Sequence, residues 1–187
     1  MFWNRNSKDR LLPVITRVRN TRSLSFKLVV SALMGLIAAI LQSAGGIIPG
    51  IGMLISPLAT APIIISMLIY PAYGLLSYFL TIFLLLLIQP SELIVFPFTT
   101  GAMGIGIGLG LLLFNKVWKV VSLSSLFLTT GICLLLYIIQ FPILGPLFME
   151  ISIINILMIY LFSLLYCWMW TGTVGTVLAV FFPRDHR

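Results

Sequence analysis

Charge is scarce in this chain of 187 residues, and histidine is almost absent. Only 8% of the residues are Asp, Glu, Lys or Arg, and the single histidine is His186. Soluble domains carry about 25% charged residues. A chain that is 60% hydrophobic, with a mean hydropathy of +1.18, has too little polar surface to cover a water-facing globule. The composition therefore predicts an integral membrane protein.

The shortage of titratable groups also excludes most intramembrane enzymes. With its one histidine at position 186, the chain has no HExxH zinc motif and no Ser-His pair for a membrane cavity. No two carboxylates lie together in its apolar stretches, as an intramembrane aspartyl protease would require. Cys133 and Cys167 lie in apolar stretches, where cysteine acts as a small hydrophobic residue. We predict a non-enzyme without cofactor, metal or disulfide.

The apolar part of the chain divides at its proline, glycine and charged residues into segments of membrane-spanning length. A span needs about 20 apolar residues. The fold class that this predicts is all-α, a polytopic integral membrane protein with six transmembrane helices. The predicted domains are a basic arm at 1–27, a membrane domain at 28–182 and a tail at 183–187. The predicted spans are 28–48, 51–70, 72–89, 93–114, 121–141 and 151–182.

The basic residues predict the orientation of this membrane domain. Lys and Arg accumulate in cytoplasmic loops, and with six spans all 11 of them fall on one side. Both termini are then cytoplasmic, while Glu92 and Glu150 lie in external loops of a multi-pass plasma-membrane protein. Five or seven spans would break this sorting. Because the basic residues flank apolar segments and form no face with interleaved aromatics, the net charge of +7 predicts no nucleic-acid partner.

Small residues recur at helical spacing in two of the segments. Gly104 and Gly108, and likewise Gly106 and Gly110, are each one turn apart, which predicts close packing of neighbouring helices. In the first segment Ser31, Gly35 and Ala39 recur every fourth residue and predict a groove for another helix. That helix could belong to this chain or to a partner, because spacing alone does not identify it.

Polar residues collect at the predicted outer ends of the spans. A binding site needs a few convergent polar groups in an apolar pocket, so we predict that these residues bind a small-molecule substrate. Asn155 could instead form an interhelical hydrogen bond, and Glu92 and Glu150 could be solvated loop carboxylates. The predicted substrate-binding residues are Gln42, Glu92, Thr99, Thr100, Tyr137, Gln140, Glu150 and Asn155.

Several of these features together resemble a known family. They are the small-residue stripe of the first segment, the GGIIPGIG loop at 45–52, SPL at 56–58 and YPAYG at 70–74. Over about residues 27 to 182, the chain resembles the substrate-binding S component of energy-coupling factor (ECF) transporters.

The resemblance implies a function and a set of partners. An S component captures a vitamin or related micronutrient at its outer face and docks onto a membrane-embedded T component with two ATPases. It implies docking through Ser31, Gly35 and Ala39, although these differ from the family's usual alanine pair. The nickel and cobalt branch uses an N-terminal histidine arrangement, which this chain lacks, so a metal cargo is disfavoured.

Other functions stay open beside this one. The chain has no Walker motif, so an importer of this kind takes its energy from its partners. The main alternative is a non-transport membrane scaffold or cell-envelope assembly factor. An autonomous secondary transporter ranks last, because the spans hold no charged residue to couple ions and no inverted repeats. The cargo is open among riboflavin, thiamine precursors, biotin, pantothenate, folate, queuosine precursors and aromatic amino acids.

Overall fold

The computed structural model describes residues 23–48 and 50–181, with side chains as far as Val174. All the regular secondary structure in these ranges is helical. Six helical segments are long and apolar enough to cross a membrane, and we call them spans 1 to 6. The prediction of an all-α fold with six such helices is confirmed. Most of the predicted arm and the whole predicted tail lie outside the described residues.

The observed spans differ from the predicted ones by a few residues at their ends. Span 1 begins at Leu24, inside the predicted arm, because the Ser23 hydroxyl accepts a hydrogen bond from the Phe26 N–H at 3.3 Å and caps the helix. The spans comprise Leu24–Ile47 (span 1), Ile51–Ile69 (span 2), Pro71–Ile88 (span 3), Pro90–Leu113 (span 4), Val117–Ile138 (span 5) and Ile153–Val174 (span 6).

Span 6 belongs to a helix that continues to Phe181. The sequence leaves open whether residues 171–182 continue this helix or lie at the inner interface, because Gly172 and Gly175 weaken a continuous helix. The helix passes through Gly172 without a break. A single glycine costs only about 1 kcal/mol in a helix, so 29 consecutive helical residues tolerate it.

Spans 2 and 4 are each interrupted near one end. In span 2 a 3₁₀ turn over Ser56–Ala59 separates the helices Ile51–Ile55 and Thr60–Ile69. Pro57 lies in this turn and has no N–H to donate. Span 4 consists of the helices Pro90–Phe98 and Thr100–Leu113. The break in span 4 is at Thr99, two residues after Pro97. It was not predicted from the sequence.

Spans 2 and 4 form the centre of the bundle. Of their most apolar windows 56% is buried, against 22% for spans 1, 3 and 6. Span 4 packs against spans 2 and 5, span 3 against spans 1 and 2, and span 6 against span 5. Large apolar side chains such as Ile40, Phe79 and Leu165 are exposed on the outer spans, as expected where a helix faces lipid.

The glycines of span 4 allow this central packing. Gly104 and Gly108 face span 2, where a methyl group on Gly104 would lie 2.9 Å from the Ile63 Cβ. Gly106 and Gly110 face span 5, where a methyl group on Gly106 would lie 2.9 Å from a backbone Cα. The prediction that these glycines allow close helix packing is confirmed.

Charged side chains are divided between the two ends of the bundle. Because successive spans alternate in direction, the connections at 48–50, at 89 and at 139–152 share one end. This end, which we call the acidic end, carries the two glutamates of the described residues. The other, basic end carries the three lysines of the described residues, Lys27, Lys116 and Lys119.

Candidate functional site

Three of the predicted binding residues meet at the acidic end. Gln42 of span 1 donates a hydrogen bond from Nε2 to Glu92 Oε2 of span 4, at 2.7 Å. The Thr100 hydroxyl, also of span 4, donates to Gln42 Oε1 at 2.7 Å. Gln42 is 1% exposed and Thr100 is 8% exposed. We call Gln42, Glu92 and Thr100 the polar triad, which joins positions that lie 50 or more residues apart.

The two prolines of span 4 explain why two of its residues reach the same glutamine. Pro90 begins the first helix of the span, and Glu92 lies in its first turn, where the helix dipole favours a carboxylate. The break after Pro97 starts a second helix at Thr100. Both polar side chains therefore lie at helix beginnings and turn towards span 1.

Glycines at the end of span 1 bring neighbouring segments close to the Glu92 carboxylate. A methyl group on Gly45 would lie 3.0 Å from Glu92 Oε1 and 3.2 Å from the Ser56 Cβ. Gly46 lies against the end of the flexible Gln89 side chain. Gly45 therefore allows Ser56 of span 2 to lie beside the Glu92 carboxylate.

A buried hydroxyl without a partner lies next to this region. Thr60 begins the second helix of span 2, one turn after Ser56. Its side chain is fully buried, and its Oγ1 has no hydrogen-bond partner among the described residues. The Thr60 carbonyl faces Gly104, one turn beyond Thr100 on span 4. Because an unsatisfied buried hydroxyl is costly, the Thr60 hydroxyl has bonding capacity that its described neighbours do not use.

Ser56 and Thr60 were not predicted as site residues. The only signal in the sequence was the Ser-Pro-Leu motif, which contributed to the family resemblance and not to the predicted site. A proline inside an apolar segment indicates a helix interruption, and polar residues beside such an interruption are the ones the sequence could have singled out.

The predicted site residue Asn155 forms hydrogen bonds within its own part of the chain. Its Nδ2 donates hydrogen bonds to the carbonyls of Glu150, at 2.9 Å, and Leu147, at 3.3 Å. The side chain is half-buried. The interhelical bond is not formed, since Asn155 holds the loop that precedes its own helix.

The remaining predicted residues make other contacts. Glu150 and Gln140 are exposed, and Gln140 has the unusual backbone angle φ of +59°. The Thr99 hydroxyl bonds the Val95 carbonyl of its own helix at 2.7 Å. Tyr137 is half-buried and packs with the core of spans 4, 5 and 6. Among the described residues, no hydrogen bond joins this group to the triad.

The small-residue stripe of span 1 faces span 3. Ser31 and Ala39 are fully buried, and Gly35 is buried as well. The hydroxyl of Ser77 in span 3 donates to the Ser31 carbonyl at 2.7 Å, and that of Thr81 donates to the Gly35 carbonyl at 3.1 Å. The stripe is an internal contact in this structure and offers no surface to a partner.

We predict that Gly35→Leu destabilises the fold. A methyl group at Gly35 would already lie 3.0 Å from the Ser77 carbonyl oxygen, so leucine must push spans 1 and 3 apart, at a cost of about 1 to 3 kcal/mol. Thermal unfolding in detergent measures this loss. Ala32→Leu is the control, because Ala32 is exposed on the same helix. Equal stability of the two variants would contradict the internal contact.

Comparisons with protein-family models, with curated proteins and with solved structures find no match for this chain. Within residues 23–48 and 50–181, no group of three or more His, Cys, Asp or Glu side chains could hold a metal ion. The polar triad and the neighbouring Ser56 supply one carboxylate, one amide and hydroxyls. They can bind a ligand through hydrogen bonds and charge.

Proposed function

We propose that the protein is the substrate-capturing membrane subunit of an ATP-driven importer for a vitamin or related small organic molecule. The polar triad is the observation that carries this proposal. Ligand sites are mostly apolar and contain a few convergent polar groups. The triad supplies such groups from two spans, above an apolar cluster that includes Ala38, Ala59 and Phe96.

The interruptions of spans 2 and 4 support the same location. Irregular backbone at membrane depth is tolerated where it is buried in protein or lines a cavity, and broken helices frame the substrate sites of many transporters. Both interruptions lie near the acidic end, at Ser56–Ala59 and at Thr99. They interrupt the regular helices near the point where Glu92 and Thr100 contact Gln42.

The charge distribution supports an outward-facing acidic end. Lysines of the described residues are confined to the basic end, and basic residues accumulate on the cytoplasmic side. We therefore place the triad towards the outside of the plasma membrane and both termini inside. In this orientation cargo reaches Glu92 from the external medium.

Energy for import comes from partner subunits in this proposal, namely a membrane-embedded T component and two ATPases. The resemblance puts docking on Ser31, Gly35 and Ala39, but these residues contact span 3. Docking through them requires span 3 to move away. In the arrangement described, a partner would contact the exposed apolar surface of the bundle instead.

Native mass spectrometry of the protein, gently extracted from its own cells, tests the proposal. We expect a stoichiometric small-molecule adduct, together with a further membrane subunit and two ATPases. Gln42→Leu should lose the adduct, and Glu150→Gln should keep it, because Glu150 is exposed and outside the triad. A protein without adduct and without these subunits would overturn the proposal.

The alternative of a non-transport scaffold is favoured by one observation. Within the triad, Gln42 uses its amide for both Glu92 and Thr100 and is 1% exposed. Such a network can simply hold spans 1 and 4 together. In that case the same mass spectra should show the protein with envelope-assembly proteins and no adduct.

A further inference from the structure

Glu92 is a carboxylate without a basic partner in the described part of the chain. Its one side-chain hydrogen bond there comes from the neutral amide of Gln42. The side chain is half-buried, and a carboxylate removed from water is costly unless a positive charge or several donors compensate it. The site therefore holds a negative charge that its described neighbours do not balance.

The lysines of the described residues are too far away to supply this balance. Lys27 lies fifteen residues before Gln42 on the same helix, which corresponds to about 22 Å. Lys116 follows the far end of span 4, roughly 35 Å from Glu92 at about 1.5 Å per residue. The acidic end also presents Glu150, so the field at the triad attracts cations and repels anions.

We infer that the cargo is an organic cation, such as a protonated amine or a positively charged nitrogen heterocycle, and that Glu92 is its counter-ion. This inference rests on the proposed function and narrows its substrate class. A cargo that carries a carboxylate would meet Glu92 and Glu150 with no basic residue beside them in the described chain. A divalent metal is a poor fit, because calcium and magnesium sites use several oxygen ligands.

The geometry around Glu92 suits an N–H donor. Oε2 accepts the hydrogen bond from Gln42 at 2.7 Å, whereas Oε1 lies close to Gly45 and Ser56 and accepts no hydrogen bond from the described residues. The unpartnered hydroxyl of Thr60 lies one turn deeper on the same span as Ser56. A cationic nitrogen that reached Oε1 would have a charged acceptor beside the Ser56 hydroxyl.

Ligand-dependent thermal stability of the purified protein tests this inference. The probes are thiamine and choline, which are fixed organic cations, and biotin and pantothenate, which are carboxylates. We expect a cation to raise the unfolding temperature of the native protein and the carboxylates to leave it unchanged. Glu92→Gln should weaken cation binding by about 10- to 100-fold, the effect of a charge-assisted hydrogen bond.

The matched control is Glu150→Gln, which removes an exposed carboxylate at the same end and should leave cation affinity within about twofold. Because glutamine at position 92 can still accept the Gln42 hydrogen bond, Glu92→Gln should keep the fold. Equal weakening by both substitutions would show a general surface-charge effect and overturn the assignment of Glu92.

Two further results overturn the inference in distinguishable ways. Stabilisation by biotin or pantothenate, or a native adduct whose mass identifies an acid, would show the wrong cargo class while the proposed function stands. If no probe stabilises the protein and its native mass spectrum shows no adduct, the proposed function falls together with the inference.

Discussion

Replacing Gly131 with alanine is expected to destabilise the protein by about 3 kcal/mol, at the upper end of the cost of overpacking. Gly131 of span 5 lies against the backbone of Phe98 in span 4. An added methyl group would collide with the Phe98 carbonyl oxygen and lie 2.6 Å from its carbonyl carbon. These are backbone atoms at a helix end, so no side-chain rotation relieves the clash.

This substitution should also disturb the geometry of the polar triad. Phe98 is the last residue of its helix, and Thr100 begins the next one. A shift of the Phe98 backbone moves Thr100, whose hydroxyl must lie within hydrogen-bond distance of Gln42. We therefore expect Gly131→Ala to weaken cargo binding in the fraction that folds.

Gly172→Ala provides the matched control for this prediction. Gly172 is also a helical glycine, but a methyl group there would have no atom within 4 Å. Alanine favours a helix over glycine by about 1 kcal/mol, so this variant should be as stable as the native protein or slightly more stable. Chemical unfolding in detergent measures both variants. Equal stability of the two would contradict the close contact of spans 4 and 5.

Gln42→Leu is expected to cost about 3 kcal/mol of stability and to abolish cargo binding. The leucine would leave the Glu92 carboxylate without its donor and the Thr100 hydroxyl without its acceptor. An unsatisfied buried group costs about 1 to 3 kcal/mol, and more when it is charged. The loss should appear as a lower midpoint of unfolding in detergent.

A double-mutant cycle separates the lost hydrogen bond from general damage to the packing. If the Gln42 to Glu92 bond carries the effect, Glu92→Leu added to Gln42→Leu should recover part of the lost stability, because no carboxylate is left unsatisfied. Strictly additive losses would show that the two side chains act independently, contrary to the structure. The binding measurement should stay negative in both variants.

The number of spans and most of their positions could be predicted because they depend on local composition. About 20 mostly apolar residues span a bilayer wherever they occur, and the described part of the chain has six helices of 18 to 24 residues that are long and apolar enough. The predicted ends of the spans were less accurate. Span 1, for example, begins at Leu24 because the Ser23 cap determines where the helix starts, whereas the prediction used the change in composition. The break in span 4 was missed although Pro97 is visible in the sequence.

The helix that packs against the small-residue stripe could not be predicted. Ser31, Gly35 and Ala39 have a spacing that suits any neighbouring helix, and the resemblance pointed to a partner. The chain instead places hydroxyls of span 3, from Ser77 and Thr81, opposite the stripe. Which helix fills a groove depends on the arrangement of all six, and periodicity within one helix contains no such information.

The candidate site was predicted in part. Gln42, Glu92 and Thr100 were among the residues named from the sequence, since polar side chains at the ends of apolar segments are few. The sequence did not separate them from Asn155, which turns back to bond its own loop. Both kinds of residue have the same local pattern, a polar side chain near the end of a span.

By itself, the sequence determined that this is an all-helical chain with six segments able to span a membrane, with its charges divided between their ends. These properties follow from hydropathy and position along the chain, which act residue by residue. The tertiary structure decided which polar groups meet. A hydrogen bond such as that between Gln42 and Glu92 requires atoms to be 2.7 Å apart, and only the packing of spans 1, 2 and 4, with their glycines and breaks, determines that distance.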